Sequence, residues 1–75
     1  MENMTLDRLK EGQRATVSAL LAPAGEQLRL LELGFVPGRA VAALQAAPWG
    51  DPVAYAVCGS VIPLRRAHAQ RIILQ

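Results

Sequence analysis

The stretch Leu28-Arg29-Leu30-Leu31-Glu32-Leu33-Gly34-Phe35-Val36-Pro37-Gly38 decides the fold. Leu28 and Leu31 are three apart, as are Leu30 and Leu33, a helical spacing that gives a broad apolar face. Extended back through Glu26 and Gln27, residues 26–33 are good helix formers with no β-branched interruption. Gly34 stands where a left-handed residue ends a helix. Pro37-Gly38 suits the central pair of a type II turn, proline fixing φ and glycine accepting a positive one. Eight residues are marginal as an isolated helix, so packing against a sheet must hold this one.

The flanking segments supply that sheet. Upstream, Ala15, Val17 and Ala19 alternate with Arg14, Thr16 and Ser18, the period of a half-buried strand over 14–20, which Pro23 and Gly25 then close. Before it, Leu6 and Leu9 indicate one helical turn within residues 5–10, with Thr5 as cap and Gly12 opening a turn. Downstream, a second strand runs over 39–47, with Ala40, Ala42, Leu44 and Ala46 on one face and Val41, Ala43, Gln45 and Ala47 on the other. Pro48-Trp49-Gly50-Asp51-Pro52 is the strongest turn signal, because neither strand nor helix passes through it. Val53, Tyr55 and Val57 mark a third strand. Gly59-Ser60 permits a bend into a fourth at Val61-Ile62, with Pro63 near its end. A single turn over 66–70 and a closing strand over 71–74 complete the chain. The expectation is one mainly β domain over residues 1–75: a small closed barrel of about five strands with a short helical insertion between the first two. Closure would hide strand edges.

The chemistry is narrow. The 75 residues carry a net charge of +2, which demands neither a nucleic acid nor an anionic membrane as partner. Arginine supplies seven of the eight basic residues, Lys10 the other, which suits fixed contacts to carboxylates or phosphates. Cys58 has no partner for a disulfide, which favours a reducing cytoplasm. The acidic start and the lack of a long apolar run predict a soluble protein with no direct membrane insertion. One histidine, His68, and one cysteine, ten residues apart, make no metal-ligand pattern. Catalysis would need His68 as base, whereas Cys58 reads as a small hydrophobe beside the core. Asp51 has backbone amides to bind in its turn, and no phosphate-cradling motif occurs. No enzyme, metal site or cofactor is expected.

Three motifs carry a resemblance. The stretch 28–38 resembles the helix-turn signature of the bacterial FeoA family of ferrous iron transport proteins. Ala47-Pro48-Trp49-Gly50-Asp51-Pro52-Val53 is similar to its central hairpin motif, and Gly59-Ser60-Val61-Ile62-Pro63-Leu64-Arg65-Arg66 followed by Ala69 to its closing pattern. Departures are Leu28, a position often basic in the family, and Pro63, where a small residue is usual. The resemblance implies an SH3-like barrel with a helical insertion. It also implies a non-catalytic cytosolic accessory of the membrane ferrous iron transporter, whose cytosolic part carries a GTP-binding domain. Such a protein would sit at the inner membrane only through that partner. The family carries a label of transition metal ion binding, for which the residues here offer no ligand set.

Candidate contacts follow. The helix edge and the turn after it offer Leu28, Arg29, Leu30, Leu33 and Phe35. Trp49, in a proline-flanked turn, is either an interface anchor or a cap on the barrel end. Arg65, Arg66 and Arg71, with Arg39, would meet carboxylates of a partner or, in a rival reading, phosphates of RNA, although interleaved aromatics for stacking are lacking. A polyproline groove would have Trp49 and Tyr55 alone as exposed aromatics. Alanine-rich strand faces allow a third reading, a weakly self-associating scaffold. Gly34, Pro37, Gly38, Pro48, Gly50, Asp51, Pro52 and Gly59 are expected to shape turns.

Overall fold

The computed structural model describes residues 4–75. The elements in order are β1 (Met4–Thr5), a 3₁₀ turn (Leu6–Arg8), β2 (Arg14–Leu20), α1 (Ala24–Leu33), β3 (Ala40–Ala46), β4 (Val53–Val57), β5 (Ser60–Leu64), α2 (Arg66–Ala69) and β6 (Ile72–Leu74). They build one six-stranded sheet in the order β1-β6-β2-β3-β4-β5, every neighbouring pair antiparallel.

This corrects the barrel expectation. The sheet begins at β1 and ends at β5, which do not pair, so it is curved but not closed. It also has six strands, and α1 lies between the second and third. The additional strand is β1, two residues whose partners Leu74 and Ile73 lie at the far end of the chain. So short a segment has no alternation to read.

Curvature comes from β2 and β3. Arg14–Thr16 of β2 pair with β3, whereas Val17–Leu20 pair with β6, and the register shifts between Val17 and Ala19. In β3 the register shifts between Ala43 and Ala46, so the inward phase runs Val41, Ala43 and then Ala46. Both irregularities bend the strand locally. They explain why the residues of β3 look apolar on both faces: the face turned inward changes partway along. In β4 the alternation holds throughout, with Val53, Tyr55 and Val57 inside and Ala54 and Ala56 half-buried.

The core is built on Tyr55, Phe35, Leu6, Leu30, Ile72, Val17 and Val41, all essentially solvent-free. Phe35 and Tyr55 meet edge to face, with ring centroids 6.5 Å apart at 83°. The Tyr55 hydroxyl donates a long 3.4 Å bond to the Leu6 carbonyl. Burial raises the Tyr55 pKa above its ordinary value, while nearby Arg66 pulls it the other way. Tyr55 is therefore a core residue, not an exposed aromatic of a polyproline groove.

Helix α1 starts two residues before the predicted Glu26, on Pro23, with no side-chain cap. Gln27 Nε2 instead donates to the carbonyls of Leu20 and Ala22 at 3.1 and 3.2 Å, tying the first turn to the end of β2. Gly34 ends the helix at φ +113°, and the Phe35 amide reaches back to the Leu30 carbonyl at 3.0 Å, which directs the Phe35 ring inward. The Arg39 amide closes the Pro37-Gly38 turn on the Val36 carbonyl at 3.0 Å, with Gly38 at φ +94°. The bend expected at Gly59-Ser60 centres instead on Cys58-Gly59, at φ +54° and +76°. Two positive φ values in a two-residue hairpin match the twist of the strands they join.

Candidate functional site

The open end of the sheet, at β5, lies beside a groove of about 500 Å³. One wall is α1, presenting Gly25, Arg29 and Leu33; the other is the end of β5 and the start of α2, presenting Pro63, Arg65 and His68. Leu30 and Leu64 form an apolar floor, 2% and 6% exposed. The positions 25, 29 and 33 are four apart, so the helix aligns them in one row. The sequence reading placed Arg29 and Leu33 on this helix but left Gly25 before it, closing the preceding strand. The far wall was not readable, because nothing local in residues 63–68 says which helix they face.

Charge in the groove is uneven. Glu26, its one acidic residue, has Oε1 2.8 Å from His68 Nδ1 and Oε2 3.2 Å from Arg71 Nε. The Arg71 contact is an ion pair without hydrogen-bond alignment, since Oε2 is shielded from solvent and has no hydrogen-bond partner. The carboxylate is thus held by α2 and by the residue just before β6, and it fixes α1 against that side of the molecule. Arg65 lies 4.0 Å from Asp51, too far for a hydrogen bond, and its side chain is 69% exposed. The Arg29 side chain makes no hydrogen bond or ion pair among the described residues.

The other predicted contacts separate into core and surface. Phe35 has its side chain in the core and is corrected from a contact residue to a packing residue, whereas Leu30, also a core residue, keeps its small exposed surface on the groove floor. Leu28 is 58% exposed and Leu33 partly buried. Trp49 is 86% exposed, so it does not cap the sheet. Its loop is nonetheless fixed: the Gly50 amide bonds to the Ala47 carbonyl at 2.7 Å and the Ala47 amide to the Pro52 carbonyl at 2.9 Å. Arg66 reinforces it, with Nε on the Gly50 carbonyl, its amide on Asp51 Oδ1 and a terminal nitrogen on the Asp7 carbonyl. Asp51 therefore receives a backbone amide from α2, outside its own turn.

These contacts disperse the basic set. Arg66 is tied to the hairpin loop, Arg71 to Glu26, and Arg39 to the Cys58 sulfur at 2.7 Å. With Phe35 and Tyr55 buried, Trp49 is the one exposed ring of a Phe, Tyr or Trp among the described residues, so these side chains form no stacking platform. Cys58, read as a small hydrophobe beside the core, is exposed at the hairpin tip. His68 and Cys58 belong to different elements, and no three metal-ligating side chains converge among the described residues.

An open, curved six-stranded sheet with a helical insertion and a groove beside its β5 end is an arrangement of the SH3-like class. Residues 4–75 match the FeoA domain model. The chain is 35% identical over 69 residues, 92% of its length, to the Fe(2+) transport protein A/Fe(2+) transporter FeoB fusion protein of Porphyromonas gingivalis, of which it spans only 8%. It is similar to the FeoA protein of Chlorobium tepidum, with TM-score 0.88 and 36% identity, covering 96% of this chain and 69% of that one. A FeoA of Stenotrophomonas maltophilia, crystallised with zinc and described as an SH3 domain protein, aligns with TM-score 0.84 and 32% identity over 96% of this chain and 89% of that one. The chain belongs to the FeoA family of ferrous iron transport proteins.

Proposed function

We propose that this chain is a cytosolic accessory of a membrane ferrous iron transporter and docks on the transporter's cytosolic, GTP-binding part. The observation that carries the reading is the Porphyromonas relative, in which a segment 35% identical to this chain and the transporter form one polypeptide. Fusion holds two units at high effective concentration, which is useful when they work in contact. The Stenotrophomonas relative, 89% covered by this chain, supports the same unit standing alone. A stand-alone unit needs a docking surface of its own. We assign that role to Arg29, Leu33 and Arg65 at the α1 groove, with the exposed Leu28 on another side of α1 and Trp49 as a second anchor. Among the described residues no helix is long and apolar enough to cross a membrane, so the proposed place at the inner membrane depends on the partner.

The test mixes the purified chain with the cytosolic domain of a ferrous iron transporter from the same organism and follows association calorimetrically, with GTP hydrolysis read in parallel. Saturable association is expected, and its absence overturns the reading. Trp49 emission and solvent quenching report on the second anchor. If both are unchanged in the complex, Trp49 is not a contact.

A further inference from the structure

We propose that the groove between α1 and β5 takes a peptide segment in which an apolar side chain is flanked by carboxylates. The inference deepens the docking reading above and depends on it only for the identity of the partner.

The floor of the groove is hydrocarbon, from Leu30, Leu33 and Leu64. A volume of about 500 Å³ falls in the range of sites that bury a small ligand or a few side chains. The rim is cationic on both walls. Arg29 stands on the helix side, and Arg65 on the strand side. The lining carboxylate that would offset them, Glu26, is already held between His68 and Arg71. The long Arg65–Asp51 pair, with 69% of the Arg65 side chain exposed, leaves that guanidinium accessible, and Arg29 is unpaired among the described residues.

A segment lying between α1 and β5 therefore meets a guanidinium on each side and leucine beneath. Guanidinium binds carboxylate through two parallel hydrogen bonds, with a geometry lysine lacks. Burial of one leucine-sized side chain on the floor supplies the apolar part of the affinity. A basic segment would be repelled by both walls. A nucleic acid would satisfy the arginines but leave the leucine floor unmatched, and the one ring lining the groove, His68, is already engaged by Glu26.

The experiment titrates the ¹⁵N-labelled full chain with three synthetic peptides. The first has a central leucine flanked on each side by glutamates, the second has lysines for the glutamates, and the third has serine for the leucine. The first is expected to shift the amides of Gly25, Leu33, Leu64 and Arg65 saturably, and the other two to leave them in place. Arg29→Glu and Arg65→Glu should each weaken binding about fivefold, with the loss largest at low salt. Both side chains are on the surface, so an unchanged melting temperature confirms that folding is not the cause. Equal binding of the lysine peptide, no saturable shift at the groove, or indifference to both charge reversals overturns the proposal. So does a saturable shift of these amides by an oligouridine with none by the glutamate–leucine peptide.

The same variants are then tested against the transporter's cytosolic domain. Peptide binding without transporter binding removes the transporter reading and leaves the groove assignment. Transporter binding that survives both reversals, with no peptide shifts, does the reverse.

Discussion

Gly34 satisfies two constraints, and only one can be read from the chain. Its place after a leucine-rich helix indicates a left-handed cap, and its φ is +113°. The second is spatial: a Cβ here would lie 3.1 Å from the Cys58 Cβ and 3.7 Å from Val57. Gly34→Ala is expected to lower stability by about 2 kcal/mol, through strain at positive φ and crowding against β4 and its turn. Chemical denaturation measures it, and a loss below ~0.5 kcal/mol would show that the cap relaxes freely. Cys58 is the converse case. It sits at φ +54° in a hairpin turn, a conformation asparagine adopts more readily. Cys58→Asn should raise stability by about 0.5 kcal/mol despite losing the Arg39 contact, and a lower melting temperature would contradict this. The sequence placed the bend one residue late because a cysteine is not a turn signal. Trp49 was legible as a turn residue, but whether it folds over the sheet or stands free depends on what lies beside the loop.

Among the elements, helix α1 and strands β2 and β4 were legible, for a local reason. Their signals are a run of helix formers ended by glycine and clean period-two alternation, both of which act within a few residues. Strand β3 was harder to read, since the register shift between Ala43 and Ala46 makes its inward phase irregular. The hairpin loop 47–52 was read as a turn and holds two backbone bonds of its own, but its reinforcement comes from Arg66, fifteen or sixteen residues downstream. Arg66→Ala removes the bonds to the Gly50 and Asp7 carbonyls while keeping the amide bond to Asp51. About 1 kcal/mol of stability should be lost, with faster amide exchange concentrated in residues 47–52. Unchanged protection of the Gly50 amide would show that the loop holds itself.

Over the whole molecule, the two sheet ends are treated differently. The β1 edge is two residues long, and β5 carries Pro63, which removes a backbone donor; both features discourage edge-to-edge pairing. Tyr55 links the halves, its ring on Phe35 and its hydroxyl on the Leu6 carbonyl. Burial raises its pKa in the fold above 10.0, the value expected in the unfolded chain. A raised folded pKa means the neutral phenol is favoured by folding. Its contribution is thus complete below pH 10 and is lost as pH climbs through the folded value. Stability should fall above pH 10 in the native protein and fall less in Tyr55→Phe, compared by denaturant unfolding across that window; parallel curves would contradict the assignment.

The sequence by itself determined the helix, its glycine stop, the hairpin at Pro48–Pro52, most of the strands and the family. Each of these rests on motifs or on backbone preferences acting over a few residues. Tertiary structure alone decided that β6 lies between β1 and β2, that the sheet stays open at β5, and that Arg29 and Leu33 face Arg65 and His68 across a groove. The reason is distance along the chain. Pairing Met4 with Leu74, or Glu26 with His68, depends on which surfaces meet once the core closes, and that leaves no local pattern in either segment.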